Sequence, residues 1–124
     1  MATSKEFAAY ITDMLEPLGD IRVQRMFGGY GIKYGDVNFA LLLNDLPYFR
    51  VDDRNREGFE EHGSEPFRYS TKKGDVTVGS YWEVPTDILE DPELLLEWAR
   101  AAIDAALKAH KPTKKRKRKG SSSA

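Results

Sequence analysis

A protein that does chemistry at neutral pH needs side chains able to hold a metal, move a proton or attack a carbon. This chain of 124 residues offers few of them. It has no cysteine, which removes thiolate nucleophiles, disulfides and every cysteine zinc site. Its two histidines, His62 and His110, lie far apart, and neither stands in an HxxxH or HxH spacing. His62 precedes Gly63, where a positive imidazole suits the carbonyl end of a helix dipole, so a surface or capping role is expected. Asp52 and Asp53 are adjacent carboxylates that suggest acid–base work or magnesium binding. Neighbouring residues project differently, however, and one of the two is needed to cap the next helix. The cluster Gly28-Gly29-Tyr30-Gly31 has the glycine density of a phosphate loop but matches neither GxGxxG nor a Walker sequence. The residues after it read as a strand, which supplies no helix N-terminus for an anion, so a bulge or tight turn is expected. There is no GxSxG motif, and Ser80 has no histidine close in sequence to act as its base. No catalytic, metal-binding or cofactor-binding residue is assigned, and the expectation is a protein that is not an enzyme and carries no cofactor.

Charge is distributed unevenly. From Lys108 onward the chain has eight basic residues and no acid, leaving 11 basic residues against 20 acidic ones in the body, a charge of −9. The six consecutive cations Lys114, Lys115, Arg116, Lys117, Arg118 and Lys119 are the candidate nucleic-acid-binding residues. Such a run attracts polyanions without reading sequence, and the lack of interleaved aromatics argues against base stacking. The competing explanation is a solubilising tail.

The elements that would position these groups can be read from periodicity. Thr3 and Glu6 have capping-box spacing, and Phe7, Tyr10, Ile11, Met14, Leu15 and Leu18 then recur at three and four, predicting a first helix ended by Pro17 and Gly19. From Ile21 to Asp52 the period becomes that of strands, punctuated at Gly28-Gly29, Gly35-Asp36 and Asn44-Asp45. The short loops make these strands antiparallel neighbours. A second helix is expected through Phe59 to His62, capped by Asp52 or Asp53. A hairpin of two strands comes next, in which Val76, Val78, Ser80, Trp82 and Val84 share one face. Asp91-Pro92 starts a last helix with two apolar stripes, Leu95-Trp98-Ala102-Ala105 and Leu96-Ala99-Ile103-Leu107. The fold class is α+β, an antiparallel β-sheet flanked by helices in the order α-β-β-β-β-α-β-β-α. Residues 1–107 are expected to form one domain and residues 108–124 a disordered basic tail.

Several stretches together resemble the N-terminal domain of the TfoX/Sxy competence-regulator family. They are Arg25-Met26-Phe27-Gly28-Gly29-Tyr30-Gly31-Ile32, Phe39-Ala40-Leu41, Tyr48-Phe49-Arg50-Val51-Asp52, Gly63 to Tyr69, Ser80-Tyr81-Trp82-Glu83-Val84-Pro85 and Leu95 to Arg100. The resemblance covers residues 4 to 107. It implies an antiparallel sheet flanked by helices, a bacterial origin and, in full-length members, promotion of competence-gene transcription with the cyclic-AMP receptor protein. It carries over no catalytic residue. Full-length regulators have a further helical domain where this chain has its basic tail, so the competence role is in doubt for a stand-alone form.

Function is accordingly expected to be regulatory, through binding a protein partner whose identity the sequence leaves open, the transcription machinery being the candidate. The aromatics Phe27, Tyr30, Tyr34, Tyr48, Tyr81 and Trp82 are the candidate contacts, because those not used in the core would form an exposed patch. A nucleic-acid-associating accessory protein is the alternative. An enzyme acting on small phosphorylated or acidic substrates is a third reading, opposed by the charge of the body. Self-association as a two-fold homodimer is expected, through the strand aromatics or through the last helix if a small sheet covers only one of its stripes. With no long apolar run at the N-terminus, neither a signal peptide nor a membrane span is expected, and the location is taken as cytoplasmic.

Overall fold

The computed structural model describes residues 3–26 and 28–115, with side chains as far as Ala109. The chain opens with helix α1 (Lys5–Leu15) and a 3-10 turn, Glu16–Leu18. Four strands come next, β1 (Ile21–Met26), β2 (Gly29–Tyr34), β3 (Val37–Leu43) and β4 (Leu46–Arg50). Helix α2 (Arg56–Glu61) leads to strands β5 (Pro66–Thr71) and β6 (Gly74–Glu83), then to a short helix α3 (Thr86–Leu89) and the long helix α4 (Pro92–Lys115). The six strands form one antiparallel sheet in the order β1-β2-β3-β4-β6-β5. Only α3 and the 3-10 turn were absent from the expected order. Each is a single turn, too short to show a period in sequence.

Local chemistry explains most element ends. Ser4, not Thr3, caps α1: its hydroxyl accepts from the Phe7 amide at 3.1 Å. Thr3 is instead buried and donates to the Leu42 carbonyl at 2.9 Å, while the Ser4 amide donates to Asp45 Oδ1, so the chain start is tied to the β3–β4 hairpin. At that hairpin Asn44 and Asp45 both take positive φ, at 55° and 59°, a pairing suited to the tightest antiparallel turn. The cap expected at Asp52 or Asp53 falls elsewhere, since α2 begins only at Arg56. Asp52 accepts from the Arg54 amide and guanidinium, closing a turn before the helix. Asp91 Oδ1 accepts from the Glu93 and Leu94 amides and starts α4 as expected.

One face of the sheet carries the main core. Ile32, Ala40, Leu42, Phe49 and Val84 from the strands meet Ala8, Ile11 and Leu15 of α1, Phe59 of α2, Ile88 of α3 and Leu95, Ala99, Ala102, Ile103 and Ala106 of α4. Helix α4 crosses β3 and β4 and also packs against α1 and α3. Both of its apolar stripes are therefore covered within the chain, apart from Leu107, which is 39% exposed. The broad leftover stripe that motivated a homodimer is not present on α4. The helix also runs past Leu107, as far as Lys115. Residues 116–124 lie outside the described residues.

Candidate functional site

Among the described residues, the cluster on the opposite face of the sheet is made of strand side chains alone, and it is apolar. Leu41, Leu43, Tyr48 and Tyr81 form a second buried cluster there, with Met26, Phe67 and Val78 packed against it. What buries them is the sheet itself. The expected alternation along β6 breaks at Gly79: Trp82 pairs with Pro66, but Val78 pairs with Phe67, so residues 79–81 bulge where β5 advances by one position. The bulge puts Val78 on the same side as Tyr81, while Trp82 points into the helix-side core. The Trp82 indole N–H donates to the Gly79 carbonyl at 3.0 Å across the bend. Beyond it the β5–β6 arm curls over the free face.

The curl creates a cleft. In a flat six-stranded sheet the edge strands would stand about 24 Å apart. Here Met26 on β1 and Phe67 on β5, from opposite edges, line one cavity of about 600 Å³ with Asn38, Leu41, Tyr69, Val78 and Tyr81. This volume lies within the range of ligand pockets, roughly 300–1,000 Å³. Phe67 stacks on Tyr69 within β5, with centroids 5.9 Å apart, and meets Tyr48 of β4 edge-on at 5.1 Å, an aromatic contact between the arm and the rest of the sheet. Tyr69, on the arm, remains 47% exposed.

One polar pair sits among these apolar groups. Asn38 Nδ2 donates to Tyr81 Oη at 2.9 Å and to the Ala40 carbonyl at 3.1 Å, and Tyr81 Oη donates back to the Asn38 carbonyl at 3.0 Å. Asn38 Oδ1 is buried and receives no hydrogen bond from any described residue. It stands with Met26 Sδ over Gly31, where a Cβ would collide with both atoms. Gly31 thus serves close packing beside the cleft, Gly28 takes a positive φ of 78° in the turn before β2, and the cluster leads into a strand and presents no helix N-terminus. The Arg50 guanidinium lies over the Tyr81 ring, 5.5 Å from its centroid, a cation–π contact. Burial raises the Tyr48 phenol above its ordinary value, and the nearby Glu83 carboxylate adds to the rise.

The six candidate contact residues do not form one patch. Tyr30, Tyr34 and Trp82 pack on the helix-side core, Tyr48 and Tyr81 are buried on the cleft side, and Phe27 lies outside the described residues. Met26, Leu41, Phe67, Tyr69 and Val78 line the cleft and were missed as site residues. Lys114 and Lys115 fall on the last turn of α4, and Arg116 to Lys119 lie outside the described residues. His62 is exposed at the end of α2, with Nδ1 2.9 Å from the Gly58 carbonyl and its ring edge-on to Trp98. Asp52 is engaged by Arg54 at 2.9 Å and Asp53 by Arg56 at 2.9 Å, so the two carboxylates face separate cations. Among the described residues there is no group of three or more acidic or histidine side chains placed to hold a metal, and no helix long and apolar enough to cross a membrane.

The antiparallel sheet is thus backed by helices on one face and holds an apolar cleft on the other. The chain belongs to the TfoX N-terminal domain family, whose model matches residues 13–106. It is 30% identical over 116 residues, 92% of this chain and 91% of the other, to a protein described as an uncharacterized 12.7 kDa protein in the trpE 5′ region of Spirochaeta aurantia. It is also 28% identical over 92 residues to DNA transformation protein TfoX1 of Aliivibrio fischeri, covering 74% of this chain but only 44% of that protein.

Proposed function

We propose that this domain is a non-catalytic regulatory module that works by binding another protein, and that the cleft between the sheet and the β5–β6 arm is where the partner docks. The observation that carries the reading is the cleft's lining: Met26, Leu41, Phe67, Val78 and Tyr81 offer an apolar surface with Tyr69 exposed above it. Interface energy concentrates where apolar and aromatic side chains fill such a recess. Family membership, with a transformation protein among the relatives, makes the transcription machinery of competence genes the first partner to test.

The test uses purified components. The folded chain is immobilised and offered RNA polymerase or the cyclic-AMP receptor protein, alongside a Val78→Asp variant that sets a charge in the cleft. Retention of one of them by the wild type and its loss in the variant is the expected outcome. If the folded chain retains neither, or if Val78→Asp retains a partner equally well, docking at the cleft is wrong.

A second reading, association with nucleic acid, is motivated by the cation run from Lys114 to Lys119. It uses a different part of the chain and is compatible with the first.

A further inference from the structure

An apolar cleft would accept many groups, but Asn38 Oδ1 narrows the choice. The amide is fixed in orientation because its nitrogen is committed twice, to Tyr81 Oη and to the Ala40 carbonyl. Its oxygen is consequently turned toward Met26 and Gly31 with no donor among the described residues. A buried acceptor without a donor costs free energy that a suitable ligand recovers on binding. Met26 is the group beside it, and a methionine, unbranched and rotatable, is the side chain best able to move aside.

We infer that the cleft is built to seat a tryptophan side chain of the partner protein, with the indole N–H donated to Asn38 Oδ1 and the ring lying among Leu41, Phe67, Val78 and Tyr81. The inference rests on the protein-docking reading of the same cleft. Tryptophan fits the chemistry by elimination. The lining demands a large apolar body, and the lone acceptor demands a donor; indole is donor-only, so it brings no acceptor that would need a partner in turn. A buried indole N–H requires a hydrogen-bond acceptor, and tryptophan is among the residues most enriched at interface hot spots. Phenylalanine and leucine would fill the space and leave Asn38 Oδ1 unpaired. A carboxylate would bring a second acceptor against it.

The experiment is amide-shift mapping of the full chain by nuclear magnetic resonance with capped pentapeptides, alanine flanking a central residue. A peptide centred on tryptophan should shift the amides of Leu41, Phe67 and Val78. Its 1-methyltryptophan counterpart, which keeps the ring but cannot donate, should bind roughly ten-fold more weakly, the effect of one lost hydrogen bond to a buried group. The phenylalanine peptide should be weakened similarly. Equal binding of the tryptophan and 1-methyltryptophan peptides would remove Asn38 Oδ1 from recognition and overturn the inference, as would shifts that lie outside the cleft. Free indole binding as tightly as the tryptophan peptide would also overturn it, pointing to a small-molecule site. Failure of these outcomes while Val78→Asp still abolishes partner retention leaves the docking reading standing. Retention that survives Val78→Asp removes the docking reading.

Discussion

Asn38 and Tyr81 are bound to each other in both directions across 43 residues of sequence, the amide nitrogen donating to the phenol oxygen and the phenol donating to the Asn38 carbonyl. The pair joins β3 to the bulge of β6, strands that do not neighbour each other in the sheet. It therefore fixes the angle at which the arm curls. Tyr81 is 8% exposed, so removing its hydroxyl strands the Asn38 carbonyl and one Asn38 N–H together. Tyr81→Phe should lower stability by about 1–3 kcal/mol in urea unfolding. It should also increase amide exchange along the β5–β6 arm.

Gly31 and Gly29 face different obstacles, and the difference predicts different outcomes. A Cβ at Gly29 would strike the Leu42 carbonyl oxygen, a backbone atom that cannot move without separating β2 from β3. At Gly31 it would strike Met26 Sδ and Asn38 Oδ1, both on side chains. Gly29→Ala should therefore be the more destabilising, at or above the usual overpacking cost of about 1–3 kcal/mol. Gly31→Ala should fold and unfold at lower denaturant, with Met26 displaced into the cleft and peptide binding reduced. A larger stability loss for Gly31→Ala than for Gly29→Ala would contradict this ordering.

The Tyr48 phenol is raised first by burial and then by Glu83, so the folded protein holds this proton more tightly than the unfolded chain does. The resulting stability is fully present below the ordinary phenol value, about pH 10, and is lost as pH rises through the folded value. Tyr48→Phe should flatten the fall in unfolding midpoint between about pH 9 and pH 11. Equal slopes for the two proteins would show that Tyr48 contributes nothing to alkaline sensitivity.

Asp52 shows the opposite sign. Partial burial pushes its carboxyl up, but the hydrogen bonds and charge of Arg54, with the Asn55 amide, outweigh that and hold it below its ordinary value. Stability from this group is present above the unfolded carboxylate value, about pH 4, and is lost as pH falls through the lower folded value. Asp52→Asn keeps the acceptor that closes the turn and loses the charge. It should be less sensitive than the wild type to acidification below about pH 4, as read from unfolding midpoints.

How much of this was legible depended on whether the signal was local. The positions of the strands, the Asn44-Asp45 turn, the Asp91 cap and the antiparallel pairing of strands joined by short loops are set by neighbours in sequence, and the sequence reading matched the structure at each. Thr3 and Ser4 compete for one cap, and a distant group, the Leu42 carbonyl, decides between them. The cleft was hidden for the same reason. Val78 and Trp82 occupy equivalent positions of a regular strand and read as one face, whereas the bulge sends them to opposite sides. Gly79 marks the site of the bend, yet one glycine in a strand pattern does not say how many residues bulge. The candidate aromatics were chosen by type, and burial sorted them onto two faces.

The basic run gives the last prediction, which is independent of the cleft. Lys114 to Lys119 are six cations in succession in a chain whose remaining residues carry an excess of acids, so a hold on nucleic acid is expected from this segment. Each phosphate neutralised releases condensed counterions, and with six engaged the logarithm of affinity for duplex DNA should fall with the logarithm of salt at a slope of about −5. The binding should be indifferent to sequence, since no aromatic interleaves the cations to stack on bases. A chain ending at His110 should lose it altogether while keeping its unfolding midpoint, because Ala106 is the last buried position among the described side chains of α4. Fluorescence anisotropy of a labelled duplex across a salt series reads both slope and loss. Undiminished binding by the shortened chain would place the contact on the acidic body, and a slope near zero would rule out counterion release as its source.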